Sequence, residues 1–271
     1  MSLKLLLLAL TAAAAATAAQ AGETACWFEK GVVVVPAEVA GVAGDYILDS
    51  AEPQTVLAET QAQGAGFEAT ALTADVALAG AVQPNVAIAV KDLDVRTGLF
   101  PTPIAGVIGA DVLKAWVADL SFTPCRLRLS APGAAPAFGR AVSLPLRMTA
   151  GVPTLEAKAS DGARSLTASF ALSTGADAPV RLSDTAASVR GAAKPKELYP
   201  NGVLRAKLAG LTFAGRRFED VLAGLETSSD PTVAGLLGAP LFHDLRVRLD
   251  IPGGQLLIAP NEKGPGSRRG P

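Results

Sequence analysis

Two short segments of this 271-residue chain carry side chains that could move a proton or hold a water molecule. The first is Asp49-Ser50-Ala51 and the second is Ser173-Thr174-Gly175, and each follows an apolar run. A carboxyl group can act as a general acid or base, whereas a serine hydroxyl near neutral pH only donates or accepts hydrogen bonds. Proton-transfer chemistry at these segments therefore depends on Asp49, because Ser173 holds the corresponding position in the second segment.

The two segments belong to an internal duplication. Gly106-Val107-Ile108-Gly109 follows the first segment, and Gly235-Leu236-Leu237-Gly238 follows the second at nearly the same distance. Motifs repeated in the same order and spacing indicate a duplicated structural unit in which one loop has changed length. We therefore expect two lobes of similar structure.

The elements around these segments are predicted to be strands. Both halves contain short β-branched or alternating runs separated by glycine, proline and alanine turns, which is typical of all-β sandwiches or barrels. Short helices are expected only at Ala110 to Trp116 and Pro240 to Asp244. The predicted strands are Val32–Val39, Asp45–Asp49, Asp75–Leu78, Asn85–Val90, Val117–Ser121, Arg126–Leu129, Thr154–Ala159, Ser165–Leu172, Val203–Leu208, Phe218–Leu222, Leu245–Asp250 and Gln255–Ile258.

The N-terminus predicts export. Lys4 precedes the apolar run Leu5–Leu10, and Ala19-Gln20-Ala21 has the small residues of a cleavage site, so a secreted or periplasmic location is expected. The chain has two cysteines, Cys26 and Cys125, and in an oxidising compartment an even pair is expected to form a disulfide.

The predicted organisation has five parts. Residues 132–144 have the composition of a linker between two lobes, and the last residues are polar and rich in glycine, proline and arginine. The parts are a signal peptide (1–21), a first lobe (22–131), the linker (132–144), a second lobe (145–260) and a disordered tail (261–271).

Composition excludes several classes of function. The formal net charge is −1 and both signs of charge are scattered, so no basic surface for nucleic acid is predicted. No segment beyond the signal is long and apolar enough to span a membrane. With one histidine, His243, and two cysteines, neither a metal site nor a cofactor is expected.

In both halves, a strand ending in apolar-apolar-Asp/Ser-Ser/Thr-Ala/Gly is followed by a glycine pair, a short helix and a final hairpin. This order resembles the aspartic proteases, most closely the bacterial retropepsin-like ones, over about residues 30–130 and 145–260. The resemblance implies two acid-protease-like β-barrel lobes in a pepsin-like bilobal arrangement, with Asp49 and Ser173 facing each other in a shared site. Ser50, Ala51, Thr174 and Gly175 would form the loops of that site.

The chemistry of that family requires a second acid. Two facing aspartates share one proton, because like charges about 3 Å apart cannot both ionise. Ser173 stands where the second aspartate would be, and Ala51 replaces a glycine that allows a tight turn. The expected function is an exported, catalytically impaired protein that binds extended peptides between its lobes, as a monomer rather than a homodimer.

Two alternatives remain open from the residues. The first is an active aspartic endopeptidase that uses Asp49 alone, with another acid such as Asp177, or paired with Asp49 of a second chain in a homodimer. The second is a serine hydrolase using Ser173, although no Gly-x-Ser-x-Gly segment surrounds that serine.

Overall fold

The computed structural model describes residues 22–183, 186, 206–226 and 230–261. The predicted signal peptide lies outside the described residues, as do most of the predicted tail and the first three residues of the predicted strand Val203–Leu208. Within the described ranges, no helix is long and apolar enough to cross a bilayer.

The first half of the chain contains ten strands and three short helices. Their bounds are β1 (Gly22–Ala25), β2 (Trp27–Glu29), β3 (Val32–Val39), β4 (Val42–Leu48), β5 (Val56–Ala58), α1 (Glu59–Gly64), β6 (Ala71–Leu78), β7 (Ala81–Lys91), α2 (Asp94–Thr97), β8 (Ile104–Ile108), α3 (Ala110–Leu113), β9 (Val117–Phe122) and β10 (Cys125–Ser130). Strands pair in the order β2-β3-β4-β8-β5-β7-β6, and a further β3–β6 pairing closes a six-stranded barrel.

The second half repeats this plan. Its strands are β11 (Val142–Pro145), β12 (Arg147–Thr149), β13 (Val152–Ser160), β14 (Ser165–Ser173), β15 (Val180–Ser183), β16 (Ala206–Phe213), β17 (Arg216–Glu226), β18 (Gly235–Gly238), β19 (Leu245–Asp250) and β20 (Gln255–Pro260). They pair in the order β12-β13-β14-β18-β15-β17-β16, and β13–β16 closes the second barrel. The duplication seen in the sequence is thus a duplication of the barrel.

The two barrels share a third sheet, with strand order β1-β10-β9-β19-β20-β11. Among the described residues, only the β9–β19 pairing joins strands from different lobes, and it runs from Val117 opposite Asp250 to Ser121 opposite Arg246. On this seam the buried Arg248 donates to both carboxylate oxygens of Asp119, at 2.5 and 2.7 Å. A cross-lobe ion pair therefore clamps the middle of the sheet.

Tight turns set the strand registers. Five hairpins turn on two residues whose φ angles are both positive, the combination that matches the twist of the flanking strands. The second residue is always glycine, which takes this conformation without strain. These turns are Lys30-Gly31, Ala40-Gly41, Ala79-Gly80, Ala150-Gly151 and Ala214-Gly215.

The predicted helices are shorter than expected. The first ends at Leu113 rather than Trp116, and the second is a single 3₁₀ turn at Ala239–Leu241, one residue earlier than predicted. In both places the chain must enter a strand of the shared sheet within a few residues, at Val117 and Leu245, so a second helical turn does not fit.

Candidate functional site

Asp49 and Ser173 meet between the lobes. Asp49 follows the last residue of β4 and Ser173 ends β14. Each of these strands pairs in parallel with the strand of its own lobe that contains the first glycine of the repeated glycine pair, β8 or β18. The Ser173 hydroxyl donates to Asp49 Oδ1 at 2.8 Å, and both side chains are buried. The structure therefore brings together the two positions that the sequence paired.

Ser50 and Thr174, which follow Asp49 and Ser173, form matching hydrogen bonds between the lobes. Ser50 Oγ donates to the carbonyl oxygen of Leu172 at 2.5 Å, and Thr174 Oγ1 donates to that of Leu48 at 2.6 Å. The Ser50 backbone N–H also donates to Thr174 Oγ1 at 3.2 Å. Each hydroxyl thus satisfies a backbone carbonyl of the opposite lobe, which holds the two site loops in register.

Position 175 requires a glycine, because this residue lies against the Asp49 side chain. A Cβ on Gly175 would lie 2.5 Å from Asp49 Cγ and 2.6 Å from Oδ2, closer than nonbonded atoms approach. Ala51, the equivalent residue of the first lobe, does not have a positive φ and packs against the apolar cluster that contains Val152 and Val233. Because the two loops are equivalent, we expect the Ala51 methyl to face the side chain at position 173, where it would obstruct an aspartate more than the shorter serine.

A side chain that sequence reasoning did not single out completes the site. Arg96, from α2, places Nη2 2.5 Å from Asp49 Oδ2 and 3.3 Å from the carbonyl oxygen of Gly175, so it reaches a group in each lobe. The remaining oxygen, Oδ1, accepts hydrogen bonds from Ser173 and from the backbone N–H of Ala51 at 3.0 Å. Both oxygens of the single aspartate are consequently engaged.

Further charges surround this centre. Glu52 lies 3.6 Å from both Arg96 Nη1 and Lys91 Nζ. Burial raises the pKa of the Glu52 carboxyl, and nearby Lys91 opposes the rise. Burial likewise raises the pKa of Glu226, at the end of β17, against the opposing charge of Arg181. Glu226 Oε2 is buried and has no hydrogen-bond partner among the residues that the structure describes.

Asp177, the other acid predicted from the sequence, forms an ion pair with Arg181 and not with Asp49. Its Oδ1 pairs with Arg181 at 2.5 Å, and its side chain is 49% exposed. His243 is also exposed, and its Nδ1 lies 2.9 Å from the carbonyl oxygen of Pro240. Neither residue contacts Ser173 among the hydrogen bonds of the described chain, so no serine triad is assembled there.

The cysteine pairing agrees with the sequence. Cys26 and Cys125 form a disulfide across 99 residues, joining the start of the first lobe to β10. In the described part of the chain there is no cluster of three or more side chains suited to a metal ion.

Neither a protein-family model nor a curated protein matches the chain in sequence. Its fold does match solved structures: the aspartic proteinase from Irpex lacteus aligns with a TM-score of 0.55 at 14% identity, covering 89% of this chain and 97% of that one. At this level of identity the likeness concerns the fold. The predicted all-β, pepsin-like pair of barrels is confirmed.

Proposed function

We propose that this chain is an exported, non-hydrolytic protein of retropepsin-like type that binds an extended peptide segment in the cleft between its lobes. One observation carries the proposal. The single aspartate of the site is held by the Ser173 hydroxyl and the Arg96 guanidinium, where a protease of this fold would need a second carboxyl group and a water molecule.

The chemistry of hydrolysis argues against activity. One carboxyl must accept a proton from water while its partner donates a hydrogen bond to the scissile carbonyl, and the two then exchange roles. The Ser173 hydroxyl can donate a hydrogen bond but cannot exchange acid and base roles with Asp49, and Arg96 occupies the Asp49 oxygen that would otherwise hold the water. Losing a positioned acid or base typically lowers the rate by about 10² to 10⁴.

Peptide binding is supported by the hydrogen bonds that hold the two site loops together. The reciprocal Ser50 and Thr174 hydrogen bonds hold the lobes around a common floor, although no acid pair requires that alignment. Strand edges beside such a floor can pair with an extended chain through backbone hydrogen bonds. The Cys26–Cys125 disulfide supports an oxidising, exported location.

Cleavage and binding can be tested separately. The purified chain should not cleave a broad peptide library between pH 3 and 8, and neither should Asp49→Asn. Asp177→Asn is the matched control, because it makes the same change on an exposed carboxylate that pairs with Arg181. Cleavage that Asp49→Asn abolishes and Asp177→Asn preserves would refute the non-hydrolytic assignment.

For binding, fluorescence anisotropy of labelled peptides from the same library should detect a complex with the wild type. Arg96→Ala should raise the affinity by about 10-fold, because the ligand no longer displaces a charge-assisted hydrogen bond from the cleft floor. Arg140→Ala removes an exposed arginine elsewhere and should change nothing. Failure of every peptide to bind both the wild type and Arg96→Ala would refute the peptide-binding assignment.

An active endopeptidase remains the second candidate, through Asp49 paired across a homodimer. It would require the second lobe to separate from the first, which would break the β9–β19 pairing and the Asp119–Arg248 ion pair. The contacts of the single chain therefore favour the first proposal.

A further inference from the structure

The second lobe has a hollow of about 210 Å³ on its outer surface, formed by β13, β16 and β17. Lys158, Thr212 and Arg217 lie directly opposite one another on these three strands. Residues directly opposite on adjacent strands share one face of a sheet. The hollow is therefore crossed by a row of two cations with a hydroxyl between them, and Arg164 and Ser165 also line it.

Few acidic side chains pair with the cationic groups of this hollow. Neither Lys158 nor Arg164 forms an ion pair with any described residue. Arg217 pairs with Glu219 at 3.2 Å, but both side chains are more than 60% exposed, so the pair is weak. A Cβ on Gly210 would lie 3.4 Å from Arg217 Nη2, which places the guanidinium over the floor of the hollow.

The carboxylate and hydroxyl groups near the hollow are of two kinds: some are hydrogen-bonded within a turn, and others have no hydrogen-bond partner among the described residues. Asp161 Oδ1 accepts the backbone N–H groups of Ala163 and Arg164 in its own turn. Ser160 Oγ is likewise committed to that turn, since it donates to the Arg164 carbonyl oxygen. By contrast, the hydroxyls of Thr212 and Ser165 have no hydrogen-bond partner among the described residues.

The first lobe shows that the fold does not require these cations. Its corresponding hollow, of about 430 Å³, is crossed by Glu38, Ala77 and Val82, which lie opposite one another on β3, β6 and β7. One lobe thus carries an acidic and apolar row where the other carries a row of cations and a hydroxyl. Duplicated barrels with the same concave surface have acquired opposite charge.

We propose that the second-lobe hollow binds a phosphate-type oxyanion, through Lys158, Arg164 and Arg217 with hydrogen bonds from Thr212 and Ser165. Guanidinium and ammonium groups make short, charge-assisted hydrogen bonds to phosphate oxygens, and the two free hydroxyls supply neutral donors. The anion can be a free phosphate compound or the headgroup of an anionic lipid. This site is separate from the inter-lobe cleft and independent of its function.

Inorganic phosphate is the first probe, with binding to the purified chain measured by calorimetry at low ionic strength. Lys158→Glu and Arg217→Val introduce the first-lobe residues and should each weaken binding by about 10-fold or more, as expected for loss of a charge-assisted hydrogen bond. Arg216→Val is the matched control, because that arginine lies beside the Phe218 ring and does not line the hollow. All three positions are exposed, and unchanged thermal unfolding would verify the fold.

A second arm distinguishes the source of the anion. Vesicles of phosphatidylglycerol should sediment the chain only if a lipid headgroup is the ligand, with phosphatidylcholine vesicles as the reference. Phosphate or phosphatidylglycerol binding that Lys158→Glu weakens and Arg216→Val preserves would support the site. Absence of both kinds of binding, or binding that is equal in all variants, would overturn it.

The first lobe offers a gain-of-function check. Glu38→Lys combined with Val82→Arg copies the cationic row onto β3 and β7, and should raise the phosphate stoichiometry from one to two. A stoichiometry that stays at one would show that the row of cations does not account for binding.

Discussion

At Asp49 each carboxylate oxygen has its own partner. Oδ1 faces the Ser173 hydroxyl and Oδ2 faces the Arg96 guanidinium. The resemblance to the aspartic proteases implied that Asp49 and Ser173 face each other in a shared site. The sequence did not predict the second contact, because Arg96 comes from a short loop helix whose sequence has no periodicity and no counterpart in the other motif. Tertiary packing determines which side chains enter a site from such loops, and a local sequence pattern carries no information about that packing.

The equivalence of Ala51 with Gly175, which lies against Asp49, predicts how an acid pair could be rebuilt. Ser173→Asp alone should give no cleavage, because the new carboxylate meets the Ala51 methyl and Arg96 still holds Asp49. Adding Ala51→Gly and Arg96→Gln should produce peptide cleavage at acidic pH, at least about 100-fold above the single variant.

The control for this experiment is Ser173→Asn in the same Ala51→Gly, Arg96→Gln background, since asparagine matches aspartate in size without the acid. Cleavage rates of a fluorogenic peptide would be compared across the set. Activity in Ser173→Asp alone would show that the alanine does not obstruct an acid at 173.

The charges beside Asp49 predict a pH dependence of stability. Burial raises the pKa of both Glu52 and Glu226 above the ordinary value of 4.5, so the folded state holds their protons to higher pH than the unfolded state does. The free energy of unfolding contributed by these groups should therefore fall as pH rises above 4.5. Glu52→Gln with Glu226→Gln should reduce that fall.

Urea unfolding at a series of pH values would measure the effect. Glu219→Gln is the control, because that carboxylate is 72% exposed on the same strand as Glu226. A pH dependence that is identical in the wild type and the double variant would contradict the prediction.

At the scale of elements, most strands could be predicted because alternating apolar runs and glycine turns are local signals. The lengths of the helices could not be predicted, since they are limited by the short segment between Gly109 or Gly238 and the next strand of the shared sheet. The closure of each barrel, β3 with β6 and β13 with β16, also lies beyond local pattern. It depends on pairing between strands that are distant in the sequence.

The two site loops differ in what they tolerate. Gly175→Ala should lower the free energy of unfolding by about 1–3 kcal/mol, because its Cβ would overlap the buried Asp49 side chain. Ala51→Gly, the equivalent position, should cost about 1 kcal/mol or less, because it only removes a methyl group and adds backbone freedom. Urea denaturation would measure both, and equal losses would contradict the difference between the loops.

For the whole molecule, the Cys26–Cys125 disulfide closes a loop spanning most of the first lobe. Because that loop contains about 100 residues, the chain-entropy estimate of its stabilisation is about 4 to 5 kcal/mol. Cys26→Ser with Cys125→Ser should lower the free energy of unfolding by up to this amount. Reducing agent should destabilise the wild type similarly and leave the double variant unchanged, and insensitivity of the wild type would contradict the prediction.

The β9–β19 seam is the one strand pairing shared by the two lobes in the described chain, with Asp119 and Arg248 at its middle. Because this is the one strand pairing between the lobes in the described chain, we expect any relative motion of the barrels to take place about an axis along that ladder. When a bulky ligand enters, the barrels must roll about this axis, and the Ser50 and Thr174 hydrogen bonds at the cleft floor must stretch first. Binding of a larger ligand should therefore give faster amide hydrogen exchange at the seam, far from the ligand itself.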